Sequence, residues 1–434
     1  MDKSKFFRFS NDGKSYIFSG YTGLLIENDE DIESIIKNGT DDIEIKKLIF
    51  GNDEIKKQRL PISENKLLKR LVVFVTNFCN LACEYCYNRV NKVDDSISMD
   101  LEMFKNSMEY LFQNFQYDKN IHITYFGGEP LGNFQFIKDS VNYLKSIENK
   151  YKVSFTFGMT TNGTIFNDEI RDFILENKVG LTISIDGDKE IHDRNRKFLN
   201  GSGSYDTTMK TVEGLSKFKR IAARATINNV DTDLVKLYQD LAQKGVAEVN
   251  LDIASGEDYL ENADEKKSIL SYRLKELSDY FIDNMKNKRL IKVSNLLRGL
   301  NAIHMGQKRS FPCSAGFDTY ALSADGSIYF CHRFNNVDEY KWGNVLEGFD
   351  DEKRISFLNH HHVESRNDSE CNSCWASILC GGDCYHATYM QHKCTDKISD
   401  LHCFFMKEII KNSIYIYSSL QEEDKKIFES ERSC

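Results

Sequence analysis

The chain has 434 residues, of which 41% are hydrophobic, 28% charged and 12% aromatic. This length allows roughly two or three domains and a large core, and the aromatic content excludes disorder as the whole answer. A net charge of −9 argues against wholesale nucleic-acid binding. Apolar runs such as Leu71 to Val75 are far shorter than the roughly 18 residues of a membrane span.

Residues 1–45 read as a small unit of sheet plus helices. Asn11-Asp12-Gly13 is a turn between Phe6–Phe9 and Ser15–Phe18. A second turn, Gly20 to Gly23, leads into Leu24–Glu27. Asp29 opens a helical pattern with Ile32, Ile35 and Ile36 on one face, and another short helix follows near Ile43 to Ile49. The opening MDKSKFFRFSNDGKSY lacks an apolar h-region and a small-residue cleavage site, so a cytoplasmic location is expected. Lys56 to Lys69 is polar and suits a connector.

From 71 to about 255, β-rich runs alternate with helical patterns. The runs are Leu71–Thr76, Ile121–Phe126, Phe155–Thr160, Leu181–Ile185, Ala223–Ile227 and Val249–Ile253. Apolar stripes lie between them: Leu101, Phe104, Met108 and Leu111; then Ile137, Val141, Leu144 and Ile147; then Leu234, Leu237 and Leu241, closed by Gly245. This alternation predicts parallel strands with right-handed crossovers. An open doubly wound sheet and a partial barrel both satisfy it, and both put chemistry at the C-terminal ends of strands. Residues 256–300 are charged and helical and suit a bridge. Beyond 301, strand patterns are few.

The chain holds 12 cysteines, nine of them in 313–434. In a reducing compartment, clustered thiols point to metal or iron–sulfur ligation rather than bridges. Cys79, Cys83 and Cys86 occur as CNLACEYC, spaced C-x3-C-x2-C directly after the first parallel run. Three thiolates on one loop can hold three irons of a cubane and leave the fourth iron open. A structural zinc site would want a fourth ligand, and none lies nearby in sequence.

This motif, with Tyr85 before its last cysteine, resembles the signature of radical S-adenosylmethionine (SAM) enzymes. The family's later landmarks follow in order: Gly127-Gly128-Glu129-Pro130, Thr161-Asn162-Gly163, Ser184-Ile185-Asp186-Gly187, and His192-Asp193-x-x-Arg196. The resemblance covers about residues 70–255. It implies a 4Fe–4S cluster on Cys79, Cys83 and Cys86, with SAM on its open iron. Tyr85, Gly127, Gly128, Glu129, Asn162, Ser184 and Arg196 are carried over as contacts to SAM. Glycines permit close backbone approach, the glutamate can meet an ammonium, and the arginine can pair with a carboxylate. The implied chemistry is reductive cleavage of SAM to a 5′-deoxyadenosyl radical that abstracts hydrogen from substrate. His192 reads as structural. Asp186-Gly187 also fits an ordinary turn, and Arg224 could reach the site or simply be exposed.

In the tail, Cys313, Gly326 and Cys331 are spaced C-x12-G-x4-C. Cys371, Cys374, Cys380 and Cys384 follow as C-x2-C-x5-C-x3-C, and then Cys403. This series resembles the SPASM extension of radical SAM enzymes that modify peptides and proteins. It implies two auxiliary 4Fe–4S clusters, three in all. Cys371, Cys374, Cys380 and Cys403 would ligate the outer one, and Cys313, Cys331 and Cys384 the inner one. The inner set is one thiolate short, its last position being open or filled by Cys394, solvent or a substrate thiolate. Zinc at Cys371-x-x-Cys374 is the other reading. Cys434 reads as a free thiol, and His360 to His362 as an exposed loop.

Residues 6–37 resemble the PqqD-like element that binds leader peptides by strand addition; a plain N-terminal cap is the alternative. The expected architecture is therefore α/β. It has a PqqD-like unit and connector over 1–68, a partial (β/α)6 TIM-like barrel over 69–255, a helical bridge over 256–300 and a SPASM domain over 301–434. The expected function is thioether formation in a ribosomally made, leader-bearing peptide, with a flavodoxin or ferredoxin as reductant and no nucleic-acid or membrane partner. Alternatives are carbon–carbon or other radical crosslinking of a peptide, formylglycine formation as in anaerobic sulfatase maturation, and a non-enzymatic iron–sulfur electron carrier. In sulfatase maturation a proton-accepting aspartate follows the cysteine corresponding to Cys331, and here that residue is His332.

Overall fold

The N-terminal strands form because a two-residue turn reverses the chain. Asp12 and Gly13 both take positive φ, 49° and 77°, which matches the right-handed twist of a tight hairpin. Strands β1 (Phe6–Asn11) and β2 (Lys14–Ser19) pair antiparallel, and β3 (Leu25–Glu27) adds to β2. Helix α1 (Glu30–Asn38) is capped by Asp29, whose side chain accepts from Ile32 N, and Asp42 caps α2 (Ile43–Phe50). Phe6, Ile17, Ile36, Ile49 and Phe50 bury one small core. The structure is a computed structural model and describes residues 3–51, 66–91, 93–216, 221–254, 263–363 and 369–430. The connector over 56–65, the start of the bridge over 256–262, and Cys434 lie outside these. The end of the expected connector, Leu67–Lys69, is already strand.

The central sheet is built from β4 (Leu67–Thr76), β5 (Gln116–Gly127), β6 (Ser154–Thr161), β7 (Gly180–Ser184), β8 (Ile221–Ile227) and β9 (Glu248–Ile253). All neighbours are parallel and the order is sequential. A doubly wound sheet reverses its strand order at a switch point; this one does not. The architecture is a partial barrel, mixed α/β with a large parallel sheet. The anticipated helical stripes supply its outer packing: Phe104, Met108 and Leu111, Ile137, Val141 and Leu144, and Leu237 and Leu241 are all buried. Each such side chain contributes about 1.5–3 kcal/mol by leaving water.

The C-terminal region continues this sheet. β10 (Thr319–Leu322) pairs parallel to β4, and β11 (Ser327–Tyr329), β12 (Lys341–Asn344) and β13 (Gly348–Phe349) extend it antiparallel to ten strands. Helix Asp400–Ser419 then packs on Ala263–Lys286 and Ser294–His304. The N-terminal unit docks here too. Phe18 shares a core with Ile303, Ile410 and Ile414. Phe7 stacks on Trp375 at 4.3 Å, and Lys5 Nζ donates to Cys374 O at 3.3 Å. Among the described residues no helix is long and apolar enough to cross a membrane. His360 to His362, expected as an exposed loop, instead close the helix Asp351–His361. His361 is buried there, with Nε2 bonded to Thr395 because the ring fills a slot in the core.

Candidate functional site

β4 ends at Thr76 and releases the loop carrying Cys79, Cys83 and Cys86. These three thiols line a cavity of about 820 Å³ at the C-terminal ends of the parallel strands. Donors from neighbouring elements reach the sulfurs. Leu81 N lies 3.4 Å from Cys79 Sγ, Asn162 Nδ2 lies 3.8 Å from Cys79 Sγ, and Arg196 Nη1 lies 3.6 Å from Cys83 Sγ. Burial pushes the Cys79 thiol up to about 12 and also raises Cys83, against the pull of Arg196. Desolvated thiols of this kind ionise more readily when a metal centre supplies a countercharge.

Of the residues carried over as SAM contacts, Tyr85, Gly127, Gly128, Asn162, Ser184 and Arg196 line this same cavity. Glu129 does not. It is fully buried, and its carboxylate accepts from Thr161 Oγ1 at 2.7 Å, Asn162 N at 2.7 Å and Leu131 N at 3.1 Å. Burial raises its carboxyl to about 7, against those hydrogen bonds. Its position ties the end of β5 to the end of β6. The glycines also have a structural reason. A Cβ at Gly127 would lie 2.2 Å from Thr76 O, and one at Gly128 would lie 2.2 Å from Phe78 O. They let the β5 end press against the start of the thiol loop.

Asp186, readable as a plain turn residue, is a hub. Its Oδ2 accepts from Tyr85 OH at 2.5 Å and Arg196 Nε at 3.1 Å, and its Oδ1 accepts from Thr226 N at 3.1 Å. The guanidinium of Arg196 lies over the Tyr85 ring at 5.3 Å. His192 is structural as expected: it is buried, with Nε2 3.0 Å from Ser204 Oγ.

The cavity holds residues that sequence reasoning missed. Asp252, Arg333, Tyr87 and His386 line it, and Arg224 reaches it. A partial signal existed: the alternation of β8 and β9 turns Arg224 and Asp252 to the face opposite the buried apolar residues. Arg333 and His386 gave none. They follow Cys331 and Cys384 closely, so residues beside two thiols of the C-terminal region wall the same cavity as Cys79, Cys83 and Cys86.

In the C-terminal region, Cys371, Cys374, Cys380 and Cys403 line one small pocket with Lys407. Cys313, Cys331 and Cys384 form a separate neighbourhood, each within electrostatic reach of the others. Burial lifts Cys380 and Cys331 to about 12 and Cys313 to about 11. Cys394 belongs to neither group; its electrostatic neighbours are Asp396 and Lys397. Asp383 pins the two groups together. Its carboxylate accepts from Cys384 N at 2.8 Å and Ser399 N at 2.6 Å, and bonds His402 Nδ1 at 2.6 Å. Among the described residues no three His, Cys, Asp or Glu side chains converge as ligands of a single metal ion. Thiolates around a cubane each take a different iron, so a wider spread of sulfurs fits that donor set.

Residues 73–222 match the model of the radical SAM superfamily. A cysteine-type anaerobic sulfatase-maturating enzyme from Clostridium novyi is 26% identical over 340 residues, 74% of this chain and 88% of that protein. Among solved structures, native anSMEcpe with bound AdoMet and Cp18Cys peptide superposes with a TM-score of 0.68 at 21% identity, covering 83% of this chain and 99% of that one. Streptococcus suis SuiB bound to precursor peptide SuiA superposes with a TM-score of 0.52 at 14% identity, covering 93% and 99%. These two structures share the fold. Residues 73–222 are thus similar to the radical SAM superfamily, and the chain is similar over most of its length to anaerobic sulfatase-maturating enzymes.

Proposed function

We propose that this chain is a peptide maturase that forms a thioether between a cysteine sulfur and a carbon of a ribosomally made, leader-bearing precursor. The observation that carries this reading is the shared cavity. The loop of Cys79, Cys83 and Cys86 lines it, and so do His332, Arg333 and His386, which lie within two residues of Cys331 or Cys384. A peptide thiol in that space lies between the site of hydrogen abstraction and the inner thiol group.

In this reading Cys79, Cys83 and Cys86 hold a 4Fe–4S cluster, and two further clusters sit on Cys371, Cys374, Cys380 and Cys403 and on Cys313, Cys331 and Cys384. When bound, the first cluster and SAM supply one-electron chemistry that removes a hydrogen atom from substrate. The chain's residues do the placing. Asp186 fixes Arg196 and Tyr85 beside the thiol loop, and Asn162 and Arg196 direct N–H groups at Cys79 and Cys83. A flavodoxin- or ferredoxin-like protein is the proposed electron donor.

The N-terminal unit is the proposed leader-binding element. Ser19 N donates to Leu24 O and Asn28 N to Ser15 O, so the alternation of an antiparallel pair turns Leu25 N and Glu27 N outward from β3. An extended leader can add there. Glu27→Pro removes one outward donor on an edge strand, where proline is tolerated.

Formylglycine formation is the second reading, and the identity to a cysteine-type sulfatase-maturating enzyme supports it. Against it stands His332. Burial, with Arg333 and Arg224, pushes its imidazole down to about 3, which makes a poor proton acceptor.

Three measurements test the proposal. Anaerobic protein with reductant and SAM should yield 5′-deoxyadenosine, and Cys83→Ala should yield none; an electron carrier gives none in either case. Mass spectrometry of a cysteine-rich peptide encoded beside this gene should show loss of two hydrogens per crosslink; a formylglycine made from cysteine loses the sulfur instead. Glu27→Pro should lower modification of the leader-bearing peptide while cleavage of SAM continues. Equal modification by that variant rejects the leader-binding element.

A further inference from the structure

A second arginine pair lines the cavity beside the one formed by Arg196. Arg224 on β8 and Arg333, just after Cys331, both donate through Nη2 to the same oxygen of Asp252, Oδ2, with the Arg333 contact at 2.5 Å. Among the described residues Asp252 is the sole carboxylate within ion-pair distance of either guanidinium. Burial works against the Asp252 charge, but Arg333 and Arg224 outweigh it and hold the carboxyl well below the usual range. Two guanidiniums share one carboxylate oxygen on the cavity wall. Glu248, the other acidic side chain that β9 turns inward, is engaged by Ser294 Oγ and faces Arg298.

The surroundings of this pair are unfinished. His386 is 3% exposed, and neither ring nitrogen has a partner. The Tyr87 hydroxyl is also buried without one. The two rings meet edge to face at 5.4 Å, and the Arg333 guanidinium lies 6.0 Å from the Tyr87 ring centre. Buried polar atoms left without partners are costly and rare, and here three belong to two residues that line the cavity beside the paired arginines. The two donors of this set, the Tyr87 O–H and one ring N–H of His386, are completed by an anion that offers oxygen lone pairs. The planar forks of arginine match a planar anionic group with two oxygens.

We infer that Arg224, Arg333, Tyr87 and His386 form a carboxylate-binding subsite that holds an acidic group of the peptide in the cavity. This rests on the peptide-maturase reading and names a substrate class for it. The carboxylate can come from an aspartate or glutamate side chain or from a peptide C-terminus; both present the same two oxygens.

The test uses the reconstituted full chain with SAM bound and three small probes measured by equilibrium binding. N-acetyl-glutamate α-amide carries only a side-chain carboxylate, N-acetyl-glutamine only a terminal one, and N-acetyl-glutamine α-amide neither. At least one carboxylate probe should bind tenfold or more tightly than the neutral probe, and which one it is identifies the source. Arg224→Gln and Arg333→Gln should each erase that preference. Equal binding of all three probes, or a preference that survives both substitutions, overturns the inference. So does loss in these variants of the electron paramagnetic resonance change that SAM causes in the reduced protein, because the arginines would then serve SAM itself. Failure of the wild-type protein to show that resonance change would fall on the maturase reading, and the probe preference is scored apart from it.

Discussion

Arg196 and Asp186 form a buried ion pair, Nε to Oδ2 at 3.1 Å, with the arginine side chain 9% exposed and the aspartate not at all. Asp186 sits just past the C-terminal end of β7 and Arg196 just past a short helix, so the pair braces the connection from β7 to β8. Tyr85 adds its hydroxyl to the same oxygen and brings the thiol loop into the brace. Removing one partner leaves a buried charge with nothing to oppose it. Asp186→Ala should lower stability by about 3–5 kcal/mol, seen as a lower denaturant midpoint. Asp186→Asn should cost less. A change of under about 1 kcal/mol in the alanine variant would show that the pair is not needed to hold the loop.

Gly128 carries a steric prediction. A Cβ there would lie 2.2 Å from Phe78 O and 2.4 Å from Asn77 O, both backbone atoms with nowhere to go. Gly128→Ala should cost about 1–3 kcal/mol and push the thiol loop away from β5. Thermal unfolding checks the first effect, and iron bound per chain checks the second.

His192 sets a pH window. Burial and then Arg196 push its imidazole down to about 4, below the unfolded value of 6.5. Between those values the unfolded chain binds the proton more tightly, so stability is lost as pH falls through the window. The slope from this group is at most roughly 1.4 kcal/mol per pH unit. His192→Gln should shrink the stability difference between pH 7.5 and pH 5 relative to wild type. An identical pH dependence in both proteins would rule the histidine out as its source.

The two cysteine groups of the C-terminal region predict a pattern in iron content. Full reconstitution should give about twelve irons per chain, three cubanes of four. Cys403→Ser and Cys384→Ser should each remove up to about four. Cys394→Ser should remove none, because Cys394 lies by Asp396 and Lys397 and apart from both groups. Fewer than about ten irons in the wild-type protein, with matching Mössbauer areas, would end the three-cluster proposal.

Much of this protein is local in its sequence. The C-x3-C-x2-C spacing after a β-rich run, the alternation of strand and helix, the Asp29 cap and the Asp12-Gly13 turn all involve residues within a few positions of one another. Backbone propensity and periodicity therefore report them directly. Which strands become neighbours is not local. Sequential order chose a partial barrel over a doubly wound sheet, and β10 joined β4 across more than two hundred residues, because strand pairing is settled by which edges the packed helices leave open. The same holds for the cavity wall. Asp252 is 28 residues from Arg224 and 81 from Arg333, and no period links them. Glu129, legible as a ligand-facing motif residue, was turned inward by three donors, two of which tie β5 to β6. Side-chain charge can be read from the letters, but the partner that satisfies it is fixed only once the distant chain has folded against it.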